Sequence, residues 1–306
     1  MTKRKNKFSQ GGTVWLILLG LIGLGLLVAL LLRGKDVALF MPKGLIAREQ
    51  HSLMIFSVAL MLAVAIPTLI LFYSFAWRYR ESNKRAAYDP HARHGKFFVF
   101  GLWLIPSVIV LILASVMWPA THKLEPHKPI VGDAETLTIQ VVAMRWKWLF
   151  IYPKQSIATV NFIQVPTGTQ VQFELTADEA PMSSFWIPHL GGQLYAMTGH
   201  TNRLNLMADT EGDYTGSSAE INGAGFAGMK FTARATSTED FNRWVQGVQR
   251  SSNMLDSDAY KRLLTPSKNN PVVYYSAAQT ELYDTVLMKY IGSGGGESHN
   301  NHTEQE

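Results

Sequence analysis

Two long runs of uncharged, mostly apolar residues constrain the fold of this chain more than any other feature. Residues 52–77 contain no charged side chain, and residues 97–118 form a second such run. About 20 apolar residues in a helix span the roughly 30 Å hydrocarbon layer of a bilayer, so each run predicts a transmembrane helix. Pro67 and Pro106 predict kinks rather than breaks, because lipid penalises unpaired backbone groups.

Basic residues flank these runs and predict their orientation. The loop of residues 78–96 carries six Lys or Arg against two Asp or Glu, which places it in the cytoplasm and everything after residue 120 outside. Residues 1–132 hold 16 Lys or Arg against 5 Asp or Glu, whereas residues 133–306 hold 12 against 18. The basic residues therefore report membrane orientation, and no nucleic-acid partner is expected.

A third apolar run, residues 13–32, precedes the pair. It is just long enough for a membrane helix, and it also has the length of a secretory signal with a long apolar core. Residues 1–34 are therefore interpreted either as an N-terminal anchor helix or as a signal sequence. Residues 35–120 are predicted to form the transmembrane helical hairpin.

Beyond a Pro-containing linker, the chain changes to short runs typical of strands. Gly, Pro, Asn and Asp turns separate the runs 136–142, 146–152, 158–165, 170–175, 202–206 and 230–235. This spacing predicts a Greek-key sandwich or barrel over residues 133–236. Helical spacing returns at the candidate N-cap Ser237, with further helices expected near Asp256 and over residues 278–291. Residues 237–291 are thus predicted as a helical extension, and residues 292–306 as a disordered tail.

Residues 214–229 have the spacing of a metal-binding loop without its ligands. Glu220 and Met229 stand where a copper loop would hold two of its ligands. Ser218, Asn222 and Phe226 stand where thiolate and imidazole would be needed, and the chain contains no cysteine. Soft copper sites require those ligands. We therefore expect no catalytic residue, no bound metal and no cofactor in this chain.

This layout resembles subunit II of the haem-copper oxidases. The members that oxidise cytochrome c carry a cupredoxin barrel with a binuclear copper centre, held by an early His and by a Cys-x-Glu-x-Cys-x3-His-x2-Met loop. The present loop is similar in spacing, and the early His corresponds to Ser183. The resemblance implies six degenerate copper-site positions: Ser183, Ser218, Glu220, Asn222, Phe226 and Met229.

The pattern of ligand loss resembles subunit II of the cytochrome bo-type ubiquinol oxidases, which take electrons from a lipid-soluble quinol. Other motifs are similar to that family: Met41-Pro-Lys-Gly44, Phe75-Ala-Trp-Arg-Tyr-Arg80, Leu124-Glu-Pro-His-Lys-Pro129, Met144-Arg-Trp-Lys-Trp148, Phe185-Trp-Ile-Pro188 and Gly225-Phe-Ala-Gly-Met-Lys230. The resemblance implies a multi-pass protein of the bacterial inner membrane with a periplasmic cupredoxin-like domain and an aromatic-rich helical extension. It also implies a proton-pumping complex whose haems and copper lie in subunit I, with smaller membrane subunits as further partners.

Within that complex the resemblance implies a non-catalytic subunit that supports the assembly of subunit I. Trp146 and Trp148 correspond to an electron-receiving aromatic cluster in the copper-bearing relatives, but core packing is the preferred interpretation here. Arg145 and Lys147 are expected to repel a basic cytochrome c, which is therefore not expected as a partner. Two alternatives stay open: a copper-bearing cytochrome c oxidase subunit, and a membrane-anchored cupredoxin-like binding or scaffold module.

Two features depart from the family pattern. The bo-type subunits carry a lipidated Cys after the N-terminal signal, where this chain has Arg33-Gly-Lys35. They also tend to carry a Glu at the cytoplasmic start of the second helix, where Lys96 is followed by no carboxylate. Glu81 and Asp89 are candidates to replace that Glu, although solvated loop charges are the preferred interpretation.

Overall fold

The chain divides into two units, Met1–Met41 and Pro42–Glu306. The computed structural model describes residues 19–20, 23–27, 30–34, 36–81, 83, 95–130, 136–279 and 281–291. In the first unit, residues 19–20, 23–27 and 30–32 are helical, whereas residues 13–18 of the predicted N-terminal run lie outside the described residues. Asp89 and the predicted tail, 292–306, also lie outside them.

Two long apolar helices confirm the predicted hairpin elements. Helix α1 spans Leu45–Arg78 and helix α2 spans Lys96–Lys123, with mean hydropathies of 2.6 and 2.7 in their most apolar windows. Both helices continue through their prolines. Helix α1 begins before its apolar run and α2 ends after its own, and charged residues in these extensions form ion pairs. Arg48 pairs with Asp209 at 2.7 Å, and Lys123 pairs with Glu49 at 3.0 Å.

Eleven strands follow among the described residues, and they form two sheets. The strands are β1 Leu137–Met144, β2 Lys147–Tyr152, β3 Ile157–Val160, β4 Phe162–Pro166, β5 Val171–Ala177, β6 Ser183–Trp186, β7 Leu194–Ala196, β8 Asn202–Leu206, β9 Gly212–Ser218, β10 Lys230–Thr236 and β11 Val273–Tyr275. One sheet has the order β11-β3-β2-β1-β5-β8, and the other has the order β4-β10-β9-β6-β7. The pairs β1–β5 and β4–β10 are parallel and the rest are antiparallel, which is the crossover pattern of a Greek-key sandwich.

The structure corrects the sequence expectations at three places in this domain. The run 158–165 is two strands in different sheets, because Asn161 adopts a left-handed backbone (φ 55°) and turns the chain between them. Strands β6, β7 and β9 were not predicted from the sequence. Since β9 pairs with β10 as far as Ser217 and ends at Ser218, the candidate metal loop is shorter than residues 214–229 and begins at Ser218.

The space between the sheets is filled mainly by aromatic rings. Phe185 stacks on Phe231 with ring centroids 5.1 Å apart, and Trp148 meets Phe185 edge-on at 5.5 Å. Phe150 and Phe173 pack on the same pair, and all five side chains are at most 4% exposed. Aromatic pairs of this kind add about 0.5–1.5 kcal/mol each to the free energy gained by burying their area.

A second core explains why β1 and β2 are buried on both faces. The helical extension contains α3 Thr238–Gln249, α4 Ser257–Leu264 and α5 Leu282–Ile291, and its strand β11 extends the larger sheet by pairing with β3. Apolar side chains of the extension cover the outer face of that sheet, where Met144 and Leu149 are fully buried. The sequence did not predict β11, and α5 begins four residues later than expected.

The sandwich is hydrogen-bonded to the N-terminal end of α1 and to the segment that follows α2. The backbone N–H groups of Lys43 and Ala47 donate to the carbonyls of His189 and Leu190, at 2.9 and 3.1 Å. A Cβ on Gly44 would lie 2.8 Å from the backbone of Leu190, so only glycine allows this close approach. On the other side, Asn205 donates from its backbone and its side chain to the carbonyl of Pro126.

Candidate functional site

The candidate site is the loop that joins β9 to β10, beside the start of β6. The backbone N–H of Ser218 donates to the carbonyl of Met229 at 3.2 Å and closes the base of the loop. The N–H of Ala219 donates to the carbonyl of Ser184 at 2.9 Å, which fixes the loop against β6. A 3₁₀ turn, Phe226–Gly228, returns the chain to β10. Backbone bonds thus hold the loop at both ends.

Three of the six positions predicted to be degenerate copper ligands converge. The side-chain amide of Asn222 donates to Ser183 Oγ at 2.8 Å and approaches Met229 Sδ at 3.1 Å. Ser183 and Met229 are fully buried. Residues from β6, the loop and the start of β10 therefore meet at one point, as the resemblance implied for the copper-bearing relatives.

The other three positions have different surroundings. The Ser218 hydroxyl donates to the backbone carbonyl of Glu220 at 3.0 Å, so these two residues interact within the loop. Phe226 lies in the 3₁₀ turn and is partly exposed. The amide nitrogen of Asn222 and the hydroxyl of Ser218 thus make hydrogen bonds within the site, whereas the buried Oδ1 of Asn222 has no partner among the described residues.

The donor set does not fit a copper centre. The converging side chains offer a hydroxyl, an amide and one thioether, whereas a soft copper site needs thiolate and imidazole. Phe226 has no donor atom in its side chain. Among the residues that the structure describes, there is no group of three or more His, Cys, Asp or Glu placed to hold a metal ion.

The two tryptophans of the Met144–Trp148 motif differ in their environment. Trp148 lies in the aromatic core with no exposed surface, as the packing interpretation predicts. Trp146 is only partly buried and adopts a left-handed backbone, with φ of 64°. Its ring lies on the loop, and its Nε1–H donates to the carbonyl of Asn222 at 3.3 Å. Trp146 therefore packs on the loop at the edge of the core.

The ring of Trp146 explains why position 225 of the loop is a glycine. A Cβ added at Gly225 would lie 2.3 Å from the Trp146 ring, which the bond to Asn222 holds in place. We expect Gly225→Ala to lower the free energy of unfolding by about 1–3 kcal/mol through overpacking, measured as a lower denaturation midpoint of the purified chain.

A matched control for this substitution is Gly247→Ala. Gly247 lies exposed within α3, with no atom within 4 Å of an added Cβ. Alanine there should stabilise the chain by roughly 0.5–1 kcal/mol because it favours the helix. Equal effects of the two substitutions would contradict the packing of Trp146 on the loop.

A segment of the helical extension also covers the loop. A Cβ on Gly228 would lie 2.2 Å from the side-chain oxygen of Asn269. The ammonium of Lys268 lies 5.7 Å from the centroid of the Trp146 ring, and the side-chain amide of Asn270 reaches the Trp146 carbonyl at 3.5 Å. The loop and its tryptophan are therefore partly screened from solvent by residues near 268–270.

Lys147 is not at the surface, where a charge that repels a docking partner would lie, and the repulsion of cytochrome c stays a prediction. Its side chain is buried, and its ammonium donates to the carbonyls of Leu263 and Thr265 at 2.8 and 2.9 Å. Burial lowers the pKa of Lys147. The side chain thus caps the end of α4, where a cation also stabilises the helix dipole. Arg145 is exposed, and its Nε donates to the Glu179 carbonyl at 2.9 Å.

A buried carboxylate that the sequence did not reveal joins the sandwich to the extension. Asp178 is 1% exposed and accepts hydrogen bonds from the hydroxyls of Tyr260 and Tyr290, at 2.6 and 2.7 Å. Lys289 donates to it at 2.9 Å. Burial and the bond to Asp178 raise the pKa of both tyrosines. Burial lowers the pKa of Lys289, but its bonds to Glu179 and Asp178 outweigh this, and the pKa is raised.

Two family models match the chain after the membrane helices. The periplasmic domain of cytochrome c oxidase subunit II matches residues 153–236, and the COX aromatic-rich motif matches residues 249–294. The first match agrees with the predicted cupredoxin-like domain. The second agrees with the predicted aromatic-rich extension.

Known proteins match over most of the chain. The cytochrome bo(3) ubiquinol oxidase subunit 2 of Pseudomonas putida is 47% identical over 87% of this chain and 85% of its own length. The ubiquinol oxidase subunit 2 of Acetobacter aceti is 43% identical over 87% of each chain. Among solved structures, the periplasmic domain of cytochrome oxidase subunit II from Bradyrhizobium japonicum is 22% identical, with a TM-score of 0.35, over 36% of this chain and 91% of that one.

Proposed function

Because the chain belongs to the subunit II family of the cytochrome bo-type ubiquinol oxidases, we propose that it serves its complex without a copper centre of its own. The complex would oxidise ubiquinol, reduce O2 and pump protons as part of aerobic respiratory electron transport. In this proposal, electrons pass from the quinol to the haems and copper of subunit I without crossing the cupredoxin-like domain.

The observation that carries this proposal is the set of side chains at the loop. Asn222 bonds to Ser183 and Met229 in the position where a copper relative would concentrate its ligands. None of the six corresponding positions offers a thiolate or an imidazole. Metal affinity at such a site depends on those groups, so the loop keeps its shape and lacks the chemistry for electron entry.

The screening of Trp146 supports the same conclusion. Lys268 and Asn270 of the extension lie against this residue, so a soluble electron carrier would have to compete with them for its ring. We therefore propose that cytochrome c is not a partner. The two apolar helices and the subunit II domain fit a membrane-anchored subunit. We propose that the membrane is the bacterial inner membrane and that residues 133–236 face the periplasm.

We propose that the chain itself is non-catalytic and supports subunit I. The hydrogen bonds from Lys43 and Ala47 to the sandwich, and from Asn205 to Pro126, make one connected body of the helix ends and the β-domain. Such a body can pack its helices against subunit I and smaller membrane subunits. Its β-domain would then cover the outer face of subunit I. The helical extension, 237–291, would stabilise the β-domain.

The two alternative functions predict different properties of the purified protein. A copper-bearing cytochrome c oxidase subunit would show the near-infrared absorption of its copper centre. A free-standing binding or scaffold module would leave the membrane without haem-containing partners. The high identity to ubiquinol oxidase subunits favours the proposed function over both.

Purification of the tagged chain in mild detergent tests the proposal. We expect a haem-containing complex to co-elute with it and to oxidise ubiquinol, while the chain shows no copper-centre absorption. Binding of cytochrome c at low salt should be no stronger than binding to unrelated protein. Elution of the chain without haem, or copper bound to the chain, would refute the proposal.

A further inference from the structure

Two cavities adjoin each other where the outer ends of α1 and α2 meet the sandwich. The first, which we call the helix groove, has a volume of about 490 Å³ and is lined by Leu53, Met117, Ala120, Thr121 and His122 together with the segment Leu124–Pro126. The second, which we call the interfacial cup, has a volume of about 250 Å³ and shares that segment as one of its walls. The two cavities therefore lie on either side of the segment Leu124–Pro126.

The helix groove lies on the membrane side of this site. Leu53 stands at the start of the uncharged part of α1, and Met117 lies at the end of the uncharged part of α2, next to Trp118. Aromatic residues at such positions mark the boundary between hydrocarbon and water. This lining suits an acyl chain, because most of the residues in it are apolar.

The interfacial cup carries charges of both signs. Lys128 and Glu125 line it, and neither side chain has an ion-pair partner among the residues that the structure describes. Lys123 lines it too and pairs with Glu49. Within the described residues the cup thus offers one cation and one carboxylate without an ion-pair partner, which favours a zwitterionic group over a singly charged one.

Asn205 gives an independent indication of a ligand. This residue is only 3% exposed and lines the cup. Its amide nitrogen donates to the Pro126 carbonyl at 3.1 Å, which fixes the orientation of the side chain. Its Oδ1 is buried and has no hydrogen-bond partner within the described part of the chain. A buried acceptor of this kind is unfavourable unless a donor satisfies it.

From this arrangement we propose that the cup and the groove bind one phospholipid with a primary-amine headgroup, of the phosphatidylethanolamine class. Its phosphate pairs with Lys128. Its ammonium donates to Glu125 and to Asn205 Oδ1 after a small adjustment of the cup wall, and an acyl chain lies in the helix groove. Such a lipid would link the membrane helices to the β-domain. The proposal goes beyond the proposed function and does not depend on the electron donor.

Lipid retention by the full-length chain, purified together with whatever co-elutes, tests this site. The preparation is washed with detergent and incubated with equal amounts of phosphatidylethanolamine, phosphatidylcholine and phosphatidylglycerol, and the retained lipids are counted by native mass spectrometry. We expect retention of phosphatidylethanolamine at least tenfold above phosphatidylcholine, because a trimethylated amine cannot donate to Asn205 or Glu125. Equal retention of the two, or preference for phosphatidylglycerol, would overturn the proposal.

Substitutions in the cup give a second measurement. Glu125→Gln with Lys128→Gln should lower phosphatidylethanolamine retention about tenfold, and both positions are exposed, so folding is not at risk. The matched control is Glu211→Gln with Lys230→Gln, two exposed residues of the sandwich that line neither cavity. Equal retention in the two variants, or a partner chain cross-linked into the cup in place of lipid, would refute the site. Haem co-elution is scored separately in the same preparation, so failure of the proposed function is distinguishable.

Discussion

A chain carrying Ser183→His, Ser218→Cys, Asn222→Cys and Phe226→His should bind copper tightly, whereas the natural chain is proposed to bind none. The four substitutions restore the ligands that the resemblance implies, while Met229 and the backbone carbonyl of Glu220 are already present. The contact distances of 2.8 and 3.1 Å from Asn222 to Ser183 and Met229 place the ligands at positions 183, 222 and 229 within reach of a shared metal, and positions 218 and 226 lie in the same loop. Thiolate-rich sites gain on the order of 10 kcal/mol of binding free energy from a structural metal.

The measurement is the copper content per chain, together with visible and near-infrared absorption of the purified protein. The control keeps Ser218 and Asn222 and changes only Ser183 and Phe226 to His, which supplies imidazole without thiolate. That control should bind copper far more weakly, because soft copper prefers sulfur ligands. A folded quadruple variant that takes up no more copper than the control would show that the loop no longer has the shape of a copper loop.

Local patterns in the sequence were sufficient to predict most elements of this fold. The uncharged runs predicted both membrane helices because hydrophobic length alone decides whether a helix can span a bilayer. The N-terminal caps of two helices in the extension also depend on neighbouring residues in the sequence. Ser237 Oγ accepts from the N–H of Asp240 at 3.1 Å, and Asp256 accepts from the N–H of Ala259 at 2.8 Å. Each of these signals depends on residues only a few positions apart.

The features that the sequence did not reveal depend on contacts between distant segments. Lys147 looked like a surface charge, but it is buried because Leu263 and Thr265, more than 110 residues later, supply carbonyls to its ammonium. Strand β9 contains two glycines and no apolar alternation, and it is a strand because β10 and β6 pair with it. At the candidate site, spacing predicted which positions would be degenerate, but the bond between Asn222 and Ser183 required the structure.

The substitution Asp178→Ala should release the helical extension from the sandwich. It removes the acceptor of Tyr260 and Tyr290 and the partner of Lys289, and it leaves the hydroxyl of Tyr260 buried without a partner. Loss of a buried, hydrogen-bonded carboxylate costs about 3 kcal/mol, which raises the population of the detached extension roughly 150-fold. Hydrogen exchange of the backbone amides of α5 should accelerate by about the same factor.

The control is Asp258→Ala, which removes an exposed carboxylate of the same extension whose partner Lys261 lies 3.7 Å away. Exposed pairs contribute about 0–1 kcal/mol, so amide exchange in α5 should change little. Equal exchange in the two variants would show that apolar packing alone holds the extension.

Detachment would also uncover Met144 and Leu149 on the outer face of the larger sheet, where both are now fully buried. The Asp178→Ala chain should therefore aggregate in detergent more readily than the control, because it exposes an apolar sheet face.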